Sequence, residues 1–291
     1  MAVQEKLSQY QRQIEDYLEG CFGGKPAYAS LYEAMRYSLL AGGKRIRPVL
    51  VLAFCEALGG TVEQALPLAA AIEMVHTYSL IHDDLPSMDN DDLRRGRPTN
   101  HKVYGECLAI LAGDALQAAA FEQVLSADLP AQRRAEAALV LARAAGPDGM
   151  VAGQVLDMEG EERQLSLEEI ARMNGLKTGC LLEGACLMGV AAAGGTERQK
   201  QAARDYAQAV GLAFQVRDDM LDVTSDAQTM GKSVGKDAAQ NKSTFVSLLG
   251  LERCGQVVLE QTEKAKEALR DIGIETAFFD ALADYLAGRG N

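Results

Sequence analysis

With 291 residues, a formal charge of −12 and a pI near 4.8, the chain repels polyanions, which excludes non-specific binding to nucleic acid or anionic lipid. A phosphorylated ligand therefore needs a local basic patch or a metal ion. The apolar share of 48% rests on Ala, Leu, Val and Met with no Trp, a composition that suits packed helices better than strands.

Residues 1–20 carry neither a basic stretch nor an apolar run, so no secretory signal is expected, and no segment is read as the ~20 apolar residues that span a bilayer. Glycine pairs at Gly23-Gly24, Gly42-Gly43, Gly59-Gly60 and Gly194-Gly195 punctuate stretches of helical apolar spacing. They predict roughly ten helices in one domain over residues 1–291, with no alternating strand pattern. Residues 65–84 form a long, nearly all-apolar helix that Pro86 ends, because the residue before a proline is pushed out of helical geometry. Further helices are predicted at 131–145, 166–192 and 197–222, with Ser166 and Glu169 in a capping-box pattern. Two polar loops, 87–102 and 224–243, each follow an aspartate cluster. The cysteines Cys21, Cys55, Cys107, Cys180, Cys186 and Cys254 form no CxxC pair and read as small buried thiols of a reducing cytoplasm.

The aspartate clusters carry the chemistry. In Phe214-Gln215-Val216-Arg217-Asp218-Asp219-Met220-Leu221-Asp222, Gln215, Asp218 and Asp222 share one helix face. In His82-Asp83-Asp84-Leu85-Pro86-Ser87-Met88-Asp89, the break at Pro86 lets a turn bring Asp89 back beside Asp83. Carboxylates so close repel unless a cation lies between them, and hard oxygen ligands of this kind suit Mg²⁺ bridging to phosphate. One such motif alone is as readily a solvated helix end; two, each closing an apolar helix, are harder to explain that way. A calcium loop at Asp89–Asp92 fails, since Arg94 and Asn100 stand where that loop needs Gly and Glu. Basic groups answer the carboxylates at Lys44-Arg45-Ile46-Arg47, Arg94-Arg95, Lys177 and Lys232. Any one of these could merely cap or solvate its helix.

The segments GGKRIRP, HTYSLIHDDLPSMDNDDLRRGRPTNH, KTG, FQVRDDMLD and GKSVGKDAAQNKST, in this order over nearly the whole chain, closely resemble the trans-isoprenyl diphosphate synthases, most of all the bacterial farnesyl diphosphate synthases. The resemblance implies an all-α isoprenoid-synthase fold around a central cavity, usually a homodimer, acting on isopentenyl diphosphate and allylic diphosphates. It implies three Mg²⁺ held by Asp83, Asp84, Asp89, Asp218, Asp219 and Asp222. Lys44, Arg47, His76 and Arg95 would take isopentenyl diphosphate, and Arg94, Lys177 and Lys232 the allylic diphosphate. Thr178 and Gln215 would face the developing carbocation, with Gln154 and Asp157 near the metals. A lone histidine on an apolar helix is ordinarily a core residue, but His76 lies seven before Asp83, on the same face.

By the same resemblance, Tyr78 and the two extra residues in the first motif mark farnesyl synthases, with Tyr78 as the stop for a fifteen-carbon chain. Tyr78 lies ~7.5 Å deeper along its helix than Asp83. A buried tyrosine also simply fills space. A geranylgeranyl or geranyl synthase is the alternative on this fold. A terpene cyclase would carry a mixed Asn/Ser/Glu motif in place of the second Asp cluster, and a non-catalytic partner subunit would have lost these ligands. Arg217 and Asn90 depart from the family pattern, and both alter local charge.

Overall fold

The computed structural model describes residues 3–160, 163–224 and 243–288. These divide into two compact units, Met1–Leu139 with Ala191–Gly194, and Val140–Val190 with Gly195–Asn291. Among the described residues all regular structure is helical except one two-stranded ribbon.

The first unit is built from α1 (Val3–Gly20), α2 (Ala29–Leu39), α3 (Ile46–Ala57), α4 (Val62–Asp83), α5 (Asn100–Tyr104) and α6 (Glu106–Ser126). Helix α4 is the expected buried helix. Thr61 caps its start by accepting the Gln64 N–H, and Leu68, Ala69, Ala70, Ala71, Ile72, Met74 and Val75 are all fully buried. With so apolar a surface, α4 packs against both α3 and α6. Gly113 of α6 lies against His82 at that crossing: a Cβ there would lie 2.6 Å from Cδ2, so the ring would have to shift.

The loop at 87–102 is more ordered than its composition suggests. Within it, β1 (Leu93–Arg94) pairs antiparallel with β2 (Arg97–Pro98). Arg95 and Gly96 both have positive φ, 53° and 73°, the backbone of a tight two-residue hairpin turn whose twist matches its strands. Two-residue strands are too short to leave an alternating pattern in sequence.

The second unit contains α8 (Met150–Gly160), α9 (Leu167–Asn174), α11 (Glu197–Thr224), α12 (Phe245–Ala268) and α13 (Ala277–Gly288); α7 (Ala131–Ala145) and α10 (Cys180–Ala193) contribute residues to both units. Leu165, Ile170, Met173, Val216, Phe245, Cys254 and Val258 form one core cluster. Tyr206, wholly buried, donates to the Phe279 carbonyl at 3.0 Å and meets the Phe279 ring edge-on.

The segment expected as one helix over 166–192 starts as predicted, with Ser166 and Glu169 in a reciprocal capping box. It is then interrupted by a π-helical turn at Gly175–Gly179. Glycines at both ends lower the cost of leaving α geometry, and α8 presses on the turn: a Cβ on Gly153 would lie 2.5 Å from Cα of Lys177.

Two expectations need correction. Helices Glu106–Ser126 and Leu167–Ala193 are long and apolar enough by composition to cross a membrane, contrary to the reading that no segment is. The scattered charges Asp114, Glu122 and Glu183 hid this from a search for an unbroken apolar run. All six cysteines are free, but only Cys55, Cys186 and Cys254 are buried; Cys107 is exposed.

Gly153→Ala should destabilise the protein by about 1–3 kcal/mol, the usual cost of overpacking against atoms that cannot yield. An unchanged thermal midpoint would show that α8 can move away from the π turn without loss.

Candidate active site

Each unit carries one half of the predicted residue set. In the first unit, α4 ends at Asp83, and the chain turns so that the Asp89 N–H donates to the Asp83 carbonyl at 2.9 Å. Asn90, with φ 51°, then donates to the Leu85 carbonyl at 3.1 Å. Asp83 and Asp89 are thereby held side by side, half-buried and exposed respectively.

Asp84 points elsewhere. It is 3% exposed, and its Oδ1 accepts from Nε (2.9 Å) and Nη2 of Arg94. Burial raises its pKa despite the guanidinium that opposes it. Asp84 and Arg94 therefore engage each other, because a carboxylate this deep needs a bonded cation. The pair ties the hairpin to the end of α4.

Arg95, at the hairpin tip, donates to the Gly42 carbonyl. A Cβ on Gly43 would lie 2.8 Å from its Cζ, so Gly43 leaves the space that the guanidinium occupies. The hairpin is held from behind by α2. Tyr37 donates to the Pro98 carbonyl (2.8 Å), Asn100 donates to the Ala34 carbonyl and to Ser38 Oγ (both 2.8 Å), and Arg97 lies over the Tyr37 ring at 4.3 Å.

Arg47, His76 and Arg95 share one electrostatic neighbourhood. Burial and then the charges of Arg47, Arg95, Arg45 and Arg94 hold the His76 imidazole well below its ordinary pKa. Burial also lowers Arg47, opposed by Glu73, and its Nε is buried without a hydrogen-bond partner. Such a cluster is suited to an anion. Lys44 is exposed beside it in sequence. Tyr78 is buried at 5% exposure, stands edge-on to His82, and accepts from Gln117 Nε2 at 3.2 Å.

In the second unit, the π turn carries Lys177 and Thr178, both half-buried. Lys177 donates to Asp157 at 2.6 Å, so α8 supplies its counter-charge, with Gln154 one turn earlier. On α11, Gln215 Nε2 donates to Asp219 Oδ1 (3.1 Å), and the Phe245 N–H donates to Asp219 Oδ2 (2.8 Å). Asp219 is 8% exposed with both oxygens engaged, one of them by Gln215. Asp218 and Asp222 remain half-buried on one face. Lys232 lies outside the described residues.

Among the described residues no three His, Cys, Asp or Glu side chains form a ready-made metal cage. The pairs Asp83/Asp89 and Asp218/Asp222 still fit Mg²⁺, which keeps most of its waters and needs only one or two carboxylates alongside a phosphate. They supply hard oxygens and no soft donor.

Sequence reasoning named Arg45 only as one of a basic group and Asn100 only against a calcium loop, and passed over Glu73, Tyr37 and Gln117. Glu73 left one signal: a charge in the middle of an otherwise apolar helix needs a buried partner.

Residues 28–277 match the polyprenyl synthetase family model, and the chain belongs to that family. It is 44% identical to the farnesyl diphosphate synthase of Geobacillus stearothermophilus, covering 99% of this chain and 98% of that protein. It is 48% identical to the chloroplastic geranylgeranyl pyrophosphate synthase of Capsicum annuum, over 90% of this chain and 72% of that protein. Among solved structures, an FPP/GFPP synthase from Zymomonas mobilis superposes with a TM-score of 0.89 at 37% identity, covering 98% of this chain and all of that one. The fold is accordingly the all-α isoprenoid-synthase fold.

The depressed His76 pKa has a sign. Between the folded value and the ordinary 6.5, the unfolded chain binds a proton that the folded chain refuses, so stability falls as pH drops through 6.5. His76→Gln should flatten that slope: from pH 7.5 to 5.5 the wild-type thermal midpoint should drop further than the variant's. Parallel curves would mean His76 is protonated alike in both states.

Proposed function

We propose that the chain is a magnesium-dependent trans-prenyl diphosphate synthase that joins isopentenyl diphosphate to allylic diphosphates, with farnesyl diphosphate as its product. The observation that carries the reading is the turn that folds Asp89 back onto Asp83 at the end of a buried helix. Asp83 and Asp89, and likewise Asp218 and Asp222, would hold Mg²⁺. Bound there, the metal would supply charge to neutralise a leaving diphosphate. Lys44, Arg47, His76 and Arg95 would bind isopentenyl diphosphate; Lys177 would bind the allylic diphosphate, as would Lys232. Thr178 and Gln215 offer oxygen dipoles toward a developing cation without a nucleophile that would trap it. Asp84 and Asp219 act on this reading by holding Arg94, Gln215 and the start of α12 in place. The single family match across both units supports one domain over residues 1–291.

The fifteen-carbon product is supported by Tyr78, buried and fixed by Gln117 on α6. A twenty-carbon product is the second reading, favoured by relatives named geranylgeranyl pyrophosphate synthases at 48–50% identity. Purified protein with Mg²⁺, isopentenyl diphosphate and dimethylallyl diphosphate, followed by chromatography of the dephosphorylated product, separates them. Farnesol is expected from the wild type, and longer alcohols from Tyr78→Ala. Geranylgeraniol from the wild type would make Tyr78 ordinary packing. Asp83→Ala and Asp218→Ala should each lower turnover at least about a hundredfold, the scale for removing one charge-stabilising contact, while the circular dichroism stays helical. Near-normal turnover at saturating Mg²⁺ in either would remove that aspartate from the metal site.

We also propose a homodimer. On α6, Cys107, Leu111, Asp114, Ala118, Phe121 and Leu125 recur at four- and three-residue spacing along the solvent side, with Leu111 50% and Leu125 52% exposed. That spacing suits a helix–helix seam. Asp114 in it disfavours a bilayer as the partner. Six free thiols support a cytoplasmic location. Leu111→Glu with Leu125→Glu should shift the light-scattering mass from dimer to monomer; an unchanged dimer would place the contact elsewhere.

A further inference from the structure

We propose that Arg45, anchored by buried Glu73, is a positioning residue: it fixes the turn that presents Lys44 and Arg47 to isopentenyl diphosphate. The proposal rests on assigning that ligand to Lys44, Arg47, His76 and Arg95.

The turn runs through three residues of positive φ: Gly42 (79°), Gly43 (126°) and Arg45 (50°). Glycine accepts such angles freely, but a residue with a Cβ does not. Arg45 is held in this left-handed conformation, immediately before α3, by its side chain, which has no exposed surface. Its Nε donates to Glu15 Oε1 of α1 at 2.7 Å, and Nη2 to Glu15 Oε2 at 3.3 Å. Nη2 also donates to the Leu39 carbonyl at the end of α2 at 2.7 Å, and Nη1 to Glu73 Oε1 of α4. One guanidinium thus gathers three helices around one backbone turn. Its neighbours differ: Lys44 is exposed, and Arg47, in the first turn of α3, has its buried Nε without a partner. The Lys44 carbonyl accepts from Gln11 at 2.9 Å, which pins the turn from the other side.

Glu73 is 2% exposed and lies three residues before His76, on the same side of α4. It is a deeply buried carboxylate in an arginine-rich neighbourhood, and its bond to Arg45 sets that guanidinium apart from Arg47 and Arg95. Buried ion pairs contribute little net stability compared with well-packed apolar groups, but they fix geometry. A pair placed behind an anion-seeking cluster, on the turn that bears two of its members, contributes to ligand binding through that geometry.

The test compares two double variants in which no buried charge is left orphaned; Glu15 also loses Arg45, but at 34% exposure it stays hydrated. Arg45→Ala with Glu73→Gln removes the anchor and keeps a Cβ that disfavours the left-handed turn. Arg45→Gly with Glu73→Gln removes the same anchor but lets the turn form freely. The alanine variant should weaken isopentenyl diphosphate binding, measured by calorimetry, and raise its KM on the order of tenfold to a hundredfold. Its kcat and its KM for the allylic diphosphate should stay within about twofold, and the glycine variant should recover most of the loss. Wild-type affinity in the alanine variant, an equal loss in both variants, or a proportional fall in all kinetic parameters together with the thermal midpoint would each overturn the proposal. Should neither double variant fold, Glu73→Asp decides: it keeps the charge but withdraws it from Arg45, so unchanged affinity for isopentenyl diphosphate would overturn the proposal. A wild type that fails to bind isopentenyl diphosphate would overturn the ligand assignment and this proposal with it.

Discussion

Arginines gathered inside a helical unit repel one another and lose their hydration, so the first unit can exist only if some carboxylates are committed to them permanently. Glu73 with Arg45, and Asp84 with Arg94, meet that requirement. The rest of the site is shaped by those two pairings. Among the described residues Arg47, Arg95 and His76 stay near one another without a buried carboxylate hydrogen-bonded to them, an arrangement of clustered cationic groups that suits an anionic ligand. The same division holds among the aspartates. Asp84 and Asp219, the middle members of the two clusters, are turned into the protein, while Asp83, Asp89, Asp218 and Asp222 keep more exposure.

The backbone is adapted to these commitments. Gly43 admits the Arg95 guanidinium, the left-handed pair Arg95-Gly96 makes the hairpin tip, and the π turn at 175–179 carries Lys177 to its 2.6 Å contact with Asp157. Each is a departure from regular helix at a residue that the functional reading uses. That concentration is expected where geometry at a site matters more than local propensity.

Much of this was legible in the sequence. The α4 pattern, the break at Pro86, the capping box at Ser166 and the bounds of α7 all follow from spacing and capping chemistry, which are local. The return of Asp89 to Asp83 was legible because a proline forces a turn of limited reach. Partners distant in sequence were not legible. Asp84 and Asp83 are chemically identical neighbours, and only the hairpin ten residues on decides that Asp84 takes Arg94. Likewise Asp219 is fixed by an N–H of Phe245, across a segment whose length hides the contact. The π turn left only its two glycines as a signal, and those equally suit an ordinary helix.

On the proposed function the basic cluster and the four accessible aspartates, Asp83, Asp89, Asp218 and Asp222, serve different ligands, one recognised by side chains and the other through metal. Calorimetry of the wild-type protein with isopentenyl diphosphate, and separately with the unreactive thio-analogue of dimethylallyl diphosphate, each with Mg²⁺ and with EDTA, tests it directly. Isopentenyl diphosphate should bind with similar affinity in both conditions, and the allylic analogue should bind only with Mg²⁺. Equal metal dependence for the two ligands, or allylic binding that survives EDTA, would contradict the claim.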